Sequence, residues 1–413
     1  MVYLGAFFLI LFAVVLLKAR DYFNDTDQHS CSAAPANLKT ERKKTDQQAK
    51  PAPAPSPLPP PDVAIGNAST PRGNLQRTGY YAGPDLKINL GILWKFETDS
   101  GRLQEPIVSG NRIFAGTSGG TDKSGQMIAL ELTGGAVIWS REISGGVNTP
   151  AVLADKHLIF AAFNRSLVAL DSETGKDTWI KDFGSRIFCP VYRNGELLIA
   201  CQTGVSACNP DDGKTLWQIN FSTIISDPVI WGNKLFVVTN QDIVYAINLD
   251  QKKIDQTIDC QQNCMGQLAV LGDELIIQTF GYLLRVDLHK WSFKKPIRSP
   301  GGESIKSDIE FTPALSPGKI AWGKEQITIT SVATHKAMFS YYSQSHPSIC
   351  GNTMYVADSD GFKAIDLNTG EEATIIHNKD FANYAGATIL PAPVLHDGKA
   401  LVCNHRGTIF LVG

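Results

Sequence analysis

Cysteine, histidine and acidic side chains are the groups in this sequence that could bind a metal or attack a substrate. Two cysteines, Cys260 and Cys264, lie close together in the segment CQQNC. A structural zinc site uses four ligands, and no second pair follows at a suitable spacing. The eight histidines are scattered, without an HxxxH or HExxH motif. We therefore predict no metal site. Whether Cys260 and Cys264 form a local disulfide or stay as thiols is left open.

A glycine-rich segment, GTSGGTDKSG at residues 116–125, is a second candidate for chemistry. Glycine loops that bind phosphate lead into the N-terminus of a helix. Here the flanking residues are short apolar runs typical of strands. We therefore predict an extended hairpin loop and no phosphate site.

A third candidate is the stretch ALDSETGKDTW, Ala169 to Trp179, which has close copies elsewhere in the chain. An acidic residue recurs at its third position, and a tryptophan follows the alanine by ten residues in three copies. A residue that recurs in most units has a task in each unit. We predict that the acidic side chain caps a turn, that Gly175 takes a positive φ, and that the tryptophans dock neighbouring units. The residues concerned are Glu131, Asp171, Asp287, Asp366, Gly175, Trp139, Trp179 and Trp217.

The elements that carry these residues repeat with a period of about 40. Each unit has two apolar runs separated by a two-residue turn, which predicts a tight hairpin. Seven units begin with a proline and an eighth has Gln267 in its place. The prolines are Pro106, Pro150, Pro190, Pro228, Pro313, Pro347 and Pro393.

Eight such units with four short strands each predict one all-β domain, an eight-bladed β-propeller. The last unit ends after three strands, at GTIFLVG. We expect an extra strand near the start of the domain, Gly91 to Asp99, to complete the last blade and close the ring. The residues just before the repeated prolines are expected at one mouth of the channel as candidate contacts, namely Glu105, Thr149, Asp227, Thr312 and His346.

The N-terminal part differs in composition. Residues 1–17 carry no charge, which favours an uncleaved transmembrane anchor over residues 1–20, with a cleaved signal peptide as the alternative. Residues 21–70 are polar and then proline-rich, which predicts a disordered linker before a propeller domain over residues 71–413. Lys18 and Arg20 on the C-terminal flank favour a cytoplasmic propeller.

The repeat resembles the PQQ-like, or quinoprotein-like, eight-bladed propeller superfamily, whose repeats carry A-x-D-x-x-T-G-x-x-x-W. The lead-in RGNLQRTGYYAGPDLKINLGILWKFET is similar to that of many bacterial members, and PAPVLHDGKALVCNHRGTIFLVG resembles the closing blade of BamB-like members. Some members of the superfamily are dehydrogenases. In them, a quinone cofactor packs against a disulfide between adjacent cysteines, with a bound calcium ion and an aspartate base, and the resemblance implies that such a site is the one to look for. This chain has no adjacent Cys-Cys pair and is shorter than those enzymes usually are.

The resemblance thus implies a non-catalytic, membrane-tethered scaffold for protein–protein interaction in the bacterial envelope, with no cofactor and a propeller in the periplasm. Outer-membrane assembly, the role of BamB-like members, is one form of this function. Those members meet their partner through a Leu-x-Leu-Arg loop, whereas this chain has NFSTIISDP at that place. The alternatives are a small-ligand or polysaccharide sensor, for which Trp322, Tyr341 and Tyr342 are the aromatic candidates, and a quinoprotein dehydrogenase. A net charge of −2 gives no general attraction to nucleic acid, and no nucleic-acid partner is predicted.

Overall fold

The structure, a computed structural model, describes residues 69–413 except residues 82, 84–85, 87–89, 99–101, 120–123, 299–309, 325 and 382–388. It is an eight-bladed β-propeller of four-stranded blades, as the repeats predict. The predicted anchor and nearly all of the predicted linker lie outside the described residues. Among those that are described, no helix combines the length and apolar character needed to cross a bilayer.

A short 3₁₀ turn, Pro71–Gly73, and two strands that pair with later blades precede the first four blades. These two strands are β1 (Tyr80–Tyr81) and β2 (Ile92–Glu97). Blade 1 has β3 (Arg102–Leu103), β4 (Ile107–Ser109), β5 (Arg112–Ser118), β6 (Gly125–Glu131) and β7 (Val137–Ile143). Blade 2 has β8 (Val152–Ala154), β9 (His157–Ala161), β10 (Ser166–Asp171) and β11 (Asp177–Asp182). Blade 3 has β12 (Val191–Arg193), β13 (Glu196–Cys201), β14 (Gly204–Cys208) and β15 (Thr215–Asn220). Blade 4 has β16 (Val229–Trp231), β17 (Lys234–Val238), β18 (Ile243–Asn248) and β19 (Lys253–Asp259).

The other four blades repeat this plan, with one short helix, α1 (Asn378–Phe381), between blades 7 and 8. Blade 5 has β20 (Cys264–Leu271), β21 (Glu274–Thr279), β22 (Tyr282–Asp287) and β23 (Ser292–Arg298). Blade 6 has β24 (Glu310–Leu315), β25 (Lys319–Lys324), β26 (Gln326–Ser331) and β27 (Ala337–Tyr342). Blade 7 has β28 (Ser348–Cys350), β29 (Thr353–Asp358), β30 (Gly361–Asp366) and β31 (Glu372–His377). Blade 8 has β32 (Val394–His396), β33 (Lys399–Cys403) and β34 (Thr408–Val412).

Each blade is an antiparallel meander whose first strand lies innermost. The hairpin between the first two strands is tight: in blade 3, Arg193 pairs with Glu196 across the turn Asn194–Gly195. Asn194 has φ 52° and Gly195 has φ 79°, the left-handed conformation that such turns need. The outermost strands alternate between more and less exposed side chains, as β11 does. The inner three strands are mostly buried, because their faces pack on both neighbouring blades.

The ring is closed by β2, which pairs antiparallel with β34 and completes blade 8. Trp94 lies opposite Leu411, and Glu97 lies opposite Thr408. The prediction that an early strand completes the last blade is therefore confirmed. Closure removes the unpaired edge that β34 would otherwise present.

Apolar side chains between adjacent blades form the core. One cluster combines Phe114 of blade 1 with Phe160 of blade 2, and another combines Val238 of blade 4 with Val286 of blade 5. All four side chains are buried. Because every blade uses both faces in this way, the ring fixes where each inner strand begins, and this sets the geometry of the channel mouth.

Candidate functional site at the channel mouth

The residues that precede the repeated prolines meet at one end of the channel. Each lies where an outer strand returns to the innermost strand of the next blade, and a residue before proline is restricted to an extended backbone. The structure places all five predicted contact residues in the wall of one cavity of about 330 Å³. They are Glu105, Thr149, Asp227, Thr312 and His346. Their role as contacts stays a prediction.

A segment upstream of the blades crosses this channel. We call residues 71–81, from the 3₁₀ turn through β1, the axial segment. Its backbone carbonyls accept hydrogen bonds from the innermost strands of four successive blades. Leu75 accepts from Ile230 at 3.0 Å, Gln76 from Val270 at 3.0 Å, Thr78 from Leu315 at 2.7 Å and Gly79 from Ile349 at 2.8 Å. The axial segment therefore satisfies inner-strand N–H groups that no further strand covers.

Arg72 joins the axial segment to blades 6, 7 and 1. Its Nη1 donates to the carbonyl of Pro347 at 2.9 Å and its Nη2 donates to that of Pro313 at 3.0 Å. Its backbone N–H donates to Oε1 of Glu105 at 2.6 Å. Arg72 is buried, and this desolvation lowers the pKa of its guanidinium while Glu105 acts in the opposite direction. A buried cation needs such partners, and carbonyl oxygens supply most of them here.

Arg77 makes the matching connection to blades 3 and 4. Its Nε donates to the carbonyl of Pro228 at 2.9 Å and its Nη2 to that of Cys189 at 3.2 Å. Its Nη1 lies 3.7 Å from the carboxylate of Asp227. The same carboxylate accepts from the backbone N–H of Cys189 at 2.9 Å. The two carboxylates of the mouth, Glu105 and Asp227, are thus each in contact with the axial segment.

His346 and Cys189, two further titratable groups of the mouth, are held in their neutral forms at neutral pH. Burial lowers the pKa of His346 to about 3, and nearby Arg72 acts in the same direction. Its Nδ1 accepts from the backbone N–H of Thr312 at 3.0 Å. Burial raises the pKa of the Cys189 thiol to about 12. A protonated thiol is a poor nucleophile, so Cys189 is not activated for attack.

The arginines of the axial segment were not predicted as functional residues from the sequence. The lead-in RGNLQRTGYY is similar to that of PQQ-like propellers, but it contains no motif that indicates a binding site. The available signal is two arginines five residues apart, each followed within two residues by a glycine, in a segment before the first blade. Gly73 and Gly79 have φ of 80° and 63°, so both occupy left-handed positions.

The tryptophans predicted to dock blades lie on the outermost strands. Ala169 lies opposite Trp179, and the ladder shifts register just after the alanine. The pairs Ala129–Trp139 and Ala207–Trp217 repeat this arrangement. The bulge explains the spacing of ten, because one extra residue lies between the pair and the turn.

Two of these tryptophans donate a hydrogen bond to the next blade. Nε1 of Trp139 donates to the carbonyl of Ser172 at 3.1 Å, and Nε1 of Trp179 donates to that of Pro210 at 2.7 Å. The ring of Trp139 lies over Gly175, where an added Cβ would come within 2.6 Å of the indole. Gly175 has φ 69°, so both its conformation and the close approach favour glycine.

Trp217 is the exception. Its indole N–H is buried and has no hydrogen-bond partner. Lys252, with φ 55°, occupies the position in blade 4 that corresponds to Gly175 in blade 2. A Cβ at this position approaches the preceding tryptophan too closely in the other joints, which accounts for the lost contact.

The repeated aspartates accept hydrogen bonds from the turns that follow them. Oδ1 of Asp171 accepts from the N–H of Thr174 at 2.8 Å and from its hydroxyl at 2.7 Å. Asp287 accepts from the N–H of Lys290 at 2.9 Å, and Asp366 from that of Thr369 at 2.9 Å. These bonds lower the pKa of all three carboxyls. Glu131 differs, since its carboxylate accepts from the side-chain amide of Asn111 at 3.3 Å.

The other sequence candidates lie away from the mouth cavity. Cys260 and Cys264 are free thiols in the structure, at the start of blade 5. Strands β5 and β6 flank the glycine-rich segment, as the hairpin prediction requires. Within the part of the chain that the structure describes, no three His, Cys, Asp or Glu side chains are grouped so as to hold a metal ion. The aromatic candidates are dispersed: Trp322 is buried, Tyr341 donates to the carbonyl of Gly370, and Tyr342 is exposed on an outer strand.

Comparison with known proteins identifies the repeats. Residues 91–293 match a family model described as outer membrane protein assembly factor BamB. The BamB of Yersinia pestis is 31% identical over 128 residues, which is 30% of this chain and 32% of that protein. The crystal structure of BamB from Moraxella catarrhalis superposes with a TM-score of 0.61 at 13% identity, over 78% of this chain and 97% of that one. The chain is similar to PQQ-like propellers.

The chain is also similar to enzymes. A polyvinylalcohol dehydrogenase from a Sphingopyxis species is 32% identical over 104 residues, or 23% of this chain and 14% of the enzyme. The chain therefore spans about a third of the length of the BamB sequence it matches and less of the dehydrogenase. At 13% identity, the structural likeness to BamB concerns the fold alone.

In this propeller, the segment NFSTIISDP joins blades 3 and 4 as a packed connection. Phe221 stacks on Tyr245 with ring centroids 4.8 Å apart. Ile224 is fully buried and forms an isolated bridge with Thr239. Asp227 closes the segment and faces the mouth cavity. Phe221 and Ile224 of this segment therefore pack on blade 4.

Proposed function

We propose that this PQQ-like propeller is a non-catalytic scaffold of the bacterial envelope, tethered by its N-terminal region, which binds a protein partner on the face that carries the channel mouth. Outer-membrane assembly is the form of this function that the similarity to BamB favours. The partner itself is an envelope protein of unknown identity, and the propeller lies in the periplasm.

The observation that carries the proposal is the occupation of the channel by the axial segment. Arg72 and Arg77 donate to carbonyl groups of the blades, and they contact Glu105 and Asp227, the two carboxylates of the mouth. These contacts already occupy oxygen atoms of both carboxylates, which leaves fewer of them open to a cation. The face with the channel mouth therefore presents a rigid rim around a polar cavity to a binding partner. A rigid rim with variable loops suits recognition.

A site-specific photo-crosslinking experiment tests this proposal. A photoreactive amino acid is placed at Asn148, in the wall of the mouth cavity, and in a matched variant at Lys253, on an outer strand of blade 4. We expect one defined envelope protein to be captured from intact cells by the mouth variant and not by the outer-strand variant. Equal capture at both positions, or no specific capture at the mouth, would contradict the proposal.

The location of the propeller is tested separately with reporters fused after Gly413. We expect alkaline phosphatase, which is active only after export, to be active in the fusion. A cytoplasmic reporter that is active at the same position instead would place the propeller on the other side of the membrane and overturn the periplasmic assignment.

A quinoprotein dehydrogenase is the second candidate, because part of the chain is similar to polyvinylalcohol dehydrogenases. The purified protein would be incubated with pyrroloquinoline quinone and calcium and followed by absorption spectroscopy. The scaffold proposal expects the spectrum of free quinone. Saturable binding together with dye reduction by an alcohol would favour the enzyme instead.

A further inference from the structure

Two arginines of the mouth lie apart from the axial segment. Arg102 belongs to the first strand of blade 1, and Arg186 to the connection that leads into blade 3. Both are exposed, and both contribute to the wall of the mouth cavity. We call them the outer arginines. Arg102 donates to the carbonyl of Ile389, and the guanidinium of Arg186 lies 5.1 Å from the ring centroid of Phe188.

The charges of the mouth are unequal. Its wall contains four arginines, Arg72, Arg77, Arg102 and Arg186, and two carboxylates, Glu105 and Asp227. The carboxylates are in contact with Arg72 and Arg77. Neither outer arginine forms an ion pair with a carboxylate in the described ranges of the chain. Phe188 and the carbonyl of Ile389 orient the outer arginines but do not neutralise their charge.

A second observation points to a missing acceptor. Nε of Arg72 is buried and has no hydrogen-bond partner, although the rest of this guanidinium is well bonded. Arg72 lines the same cavity as the outer arginines. A buried donor without an acceptor costs free energy unless something that enters the site satisfies it.

We propose that the outer arginines Arg102 and Arg186 bind a carboxylate side chain of the protein partner. This inference rests on the proposed scaffold function and names the chemistry that the partner must present, an exposed Asp or Glu in an extended segment or loop tip. Guanidinium groups match the planar, bidentate geometry of carboxylates. A cavity of about 330 Å³ admits one or two side chains and excludes a folded domain.

The same wall argues against an anionic membrane surface as the occupant. The side chain of Asp227 is 45% exposed beside the cavity. A continuous negative surface laid over the mouth would meet this carboxylate and be repelled. A single carboxylate that enters between the outer arginines places its charge beside the cations instead.

Titration of the full-length protein with short peptides tests the inference. The probe is a fluorescent hexapeptide of alternating Gly and Glu, and its matched control is the Gly-Gln hexapeptide. We expect saturable binding of the Glu peptide that weakens as salt is raised, and none of the Gln peptide. Arg102→Gln and Arg186→Gln should each weaken binding about three- to tenfold, and the double variant about 10- to 100-fold. Arg193→Gln, on a turn at the opposite end of blade 3, should leave it unchanged.

Other outcomes would overturn the inference. If both peptides bind equally, or if the double substitution leaves the affinity for the Glu peptide unchanged, the outer arginines do not bind a carboxylate. Citrate that binds through the same arginines while the Glu peptide does not would make the ligand a free carboxylate. Phosphatidylglycerol vesicles that bind through them, without peptide binding, would make it a lipid surface.

The crosslinking experiment separates failure of this inference from failure of the scaffold proposal. Capture at the mouth that survives Arg102→Glu and Arg186→Glu would leave the scaffold intact and refute the carboxylate contact. Capture that is lost in these variants but kept in Arg193→Glu supports both. If the protein without arginine substitutions captures no partner at the mouth, the scaffold proposal is refuted, whatever the result of the peptide titrations.

Discussion

At the scale of single residues, the joints between blades depend on one glycine. The turns that receive a tryptophan from the previous blade have Gly135, Gly175 and Gly213 at the same left-handed position, and a Cβ there would come within 2.7 Å of the indole ring. The glycine is therefore required twice, for its φ and for the close approach of the ring.

Gly175→Ala should destabilise the propeller by about 2–4 kcal/mol, because it adds left-handed strain to a steric clash with Trp139. Urea unfolding measures this change. Gly195→Ala is the matched control, since Gly195 has φ 79° and nothing within 4 Å of an added Cβ. It should cost only about 1 kcal/mol. Equal costs at the two positions would contradict the tryptophan contact.

Lys252→Gly should stabilise the protein by about 1 kcal/mol. The change removes a non-glycine residue from φ 55° and gives Trp217 the room that Trp139 has over Gly175. The comparison is made in a Trp217→Phe background, which has no indole N–H. The gain should be smaller there. A gain of the same size in both backgrounds would mean that only backbone strain was relieved.

The repeated aspartates predict how stability depends on pH. Hydrogen bonds to Asp171, Asp287 and Asp366 lower their pKa in the folded protein, with the Thr174 side chain the largest cause for Asp171 and backbone N–H groups for the other two. A lowered carboxyl pKa stabilises the fold above the unfolded value of about 4, and this contribution disappears as the pH falls through the folded value.

Asp171→Asn should therefore lower the thermal midpoint at pH 7, and the difference from the unsubstituted protein should shrink below pH 4. Thermal unfolding followed by circular dichroism between pH 7 and pH 3 tests this. Asp250→Asn serves as the comparison, because Asp250 accepts from the side chain of Asn233 rather than capping a turn. A constant difference at all pH values would exclude the charged cap.

At the scale of elements, the axial segment is held by Arg72, Arg77 and four backbone hydrogen bonds. Arg77→Met keeps an unbranched apolar side chain and removes the donors to the carbonyls of Pro228 and Cys189. We expect a loss of about 2–4 kcal/mol in the free energy of unfolding, because buried acceptors and Asp227 lose their partner. Arg193→Met should stay within about 0.5 kcal/mol. Indistinguishable urea midpoints would show that the axial segment adds no stability.

At the scale of the whole molecule, ring closure by β2 is the contact that joins the two ends of the domain. Deletion of residues 92–97 would leave β34 as an unpaired edge and expose the face of blade 8. We expect the variant to associate through this edge and to lose cooperative unfolding, as measured by size-exclusion chromatography and calorimetry. Lys95→Ala, at an exposed position of β2, should remain monodisperse. A monodisperse, cooperative deletion variant would mean that closure is dispensable.

The sequence by itself determined the architecture of this protein. A period of about 40, tight turns and apolar runs specify each blade locally, so the number of blades and the closing strand follow from the chain alone. The positions before the repeated prolines were also predictable, because a symmetric ring brings equivalent positions to one mouth. The ALDSETGKDTW repeat was predictable for the same reason, because its turn and its tryptophan make contacts within one blade or with the next blade.

Only the tertiary structure decided what fills the mouth. The axial segment is not a repeat, and its contacts join residues more than 100 positions apart in the sequence, such as Arg77 to Cys189 and Arg72 to Pro347. Its acceptors are mostly backbone carbonyls, which every residue carries and no pattern of side chains reveals. The outer arginines come from a strand of blade 1 and the connection into blade 3, and they share a cavity only because the ring closes. Local periodicity therefore specified the blades, whereas the site arises from long-range contacts of a unique segment.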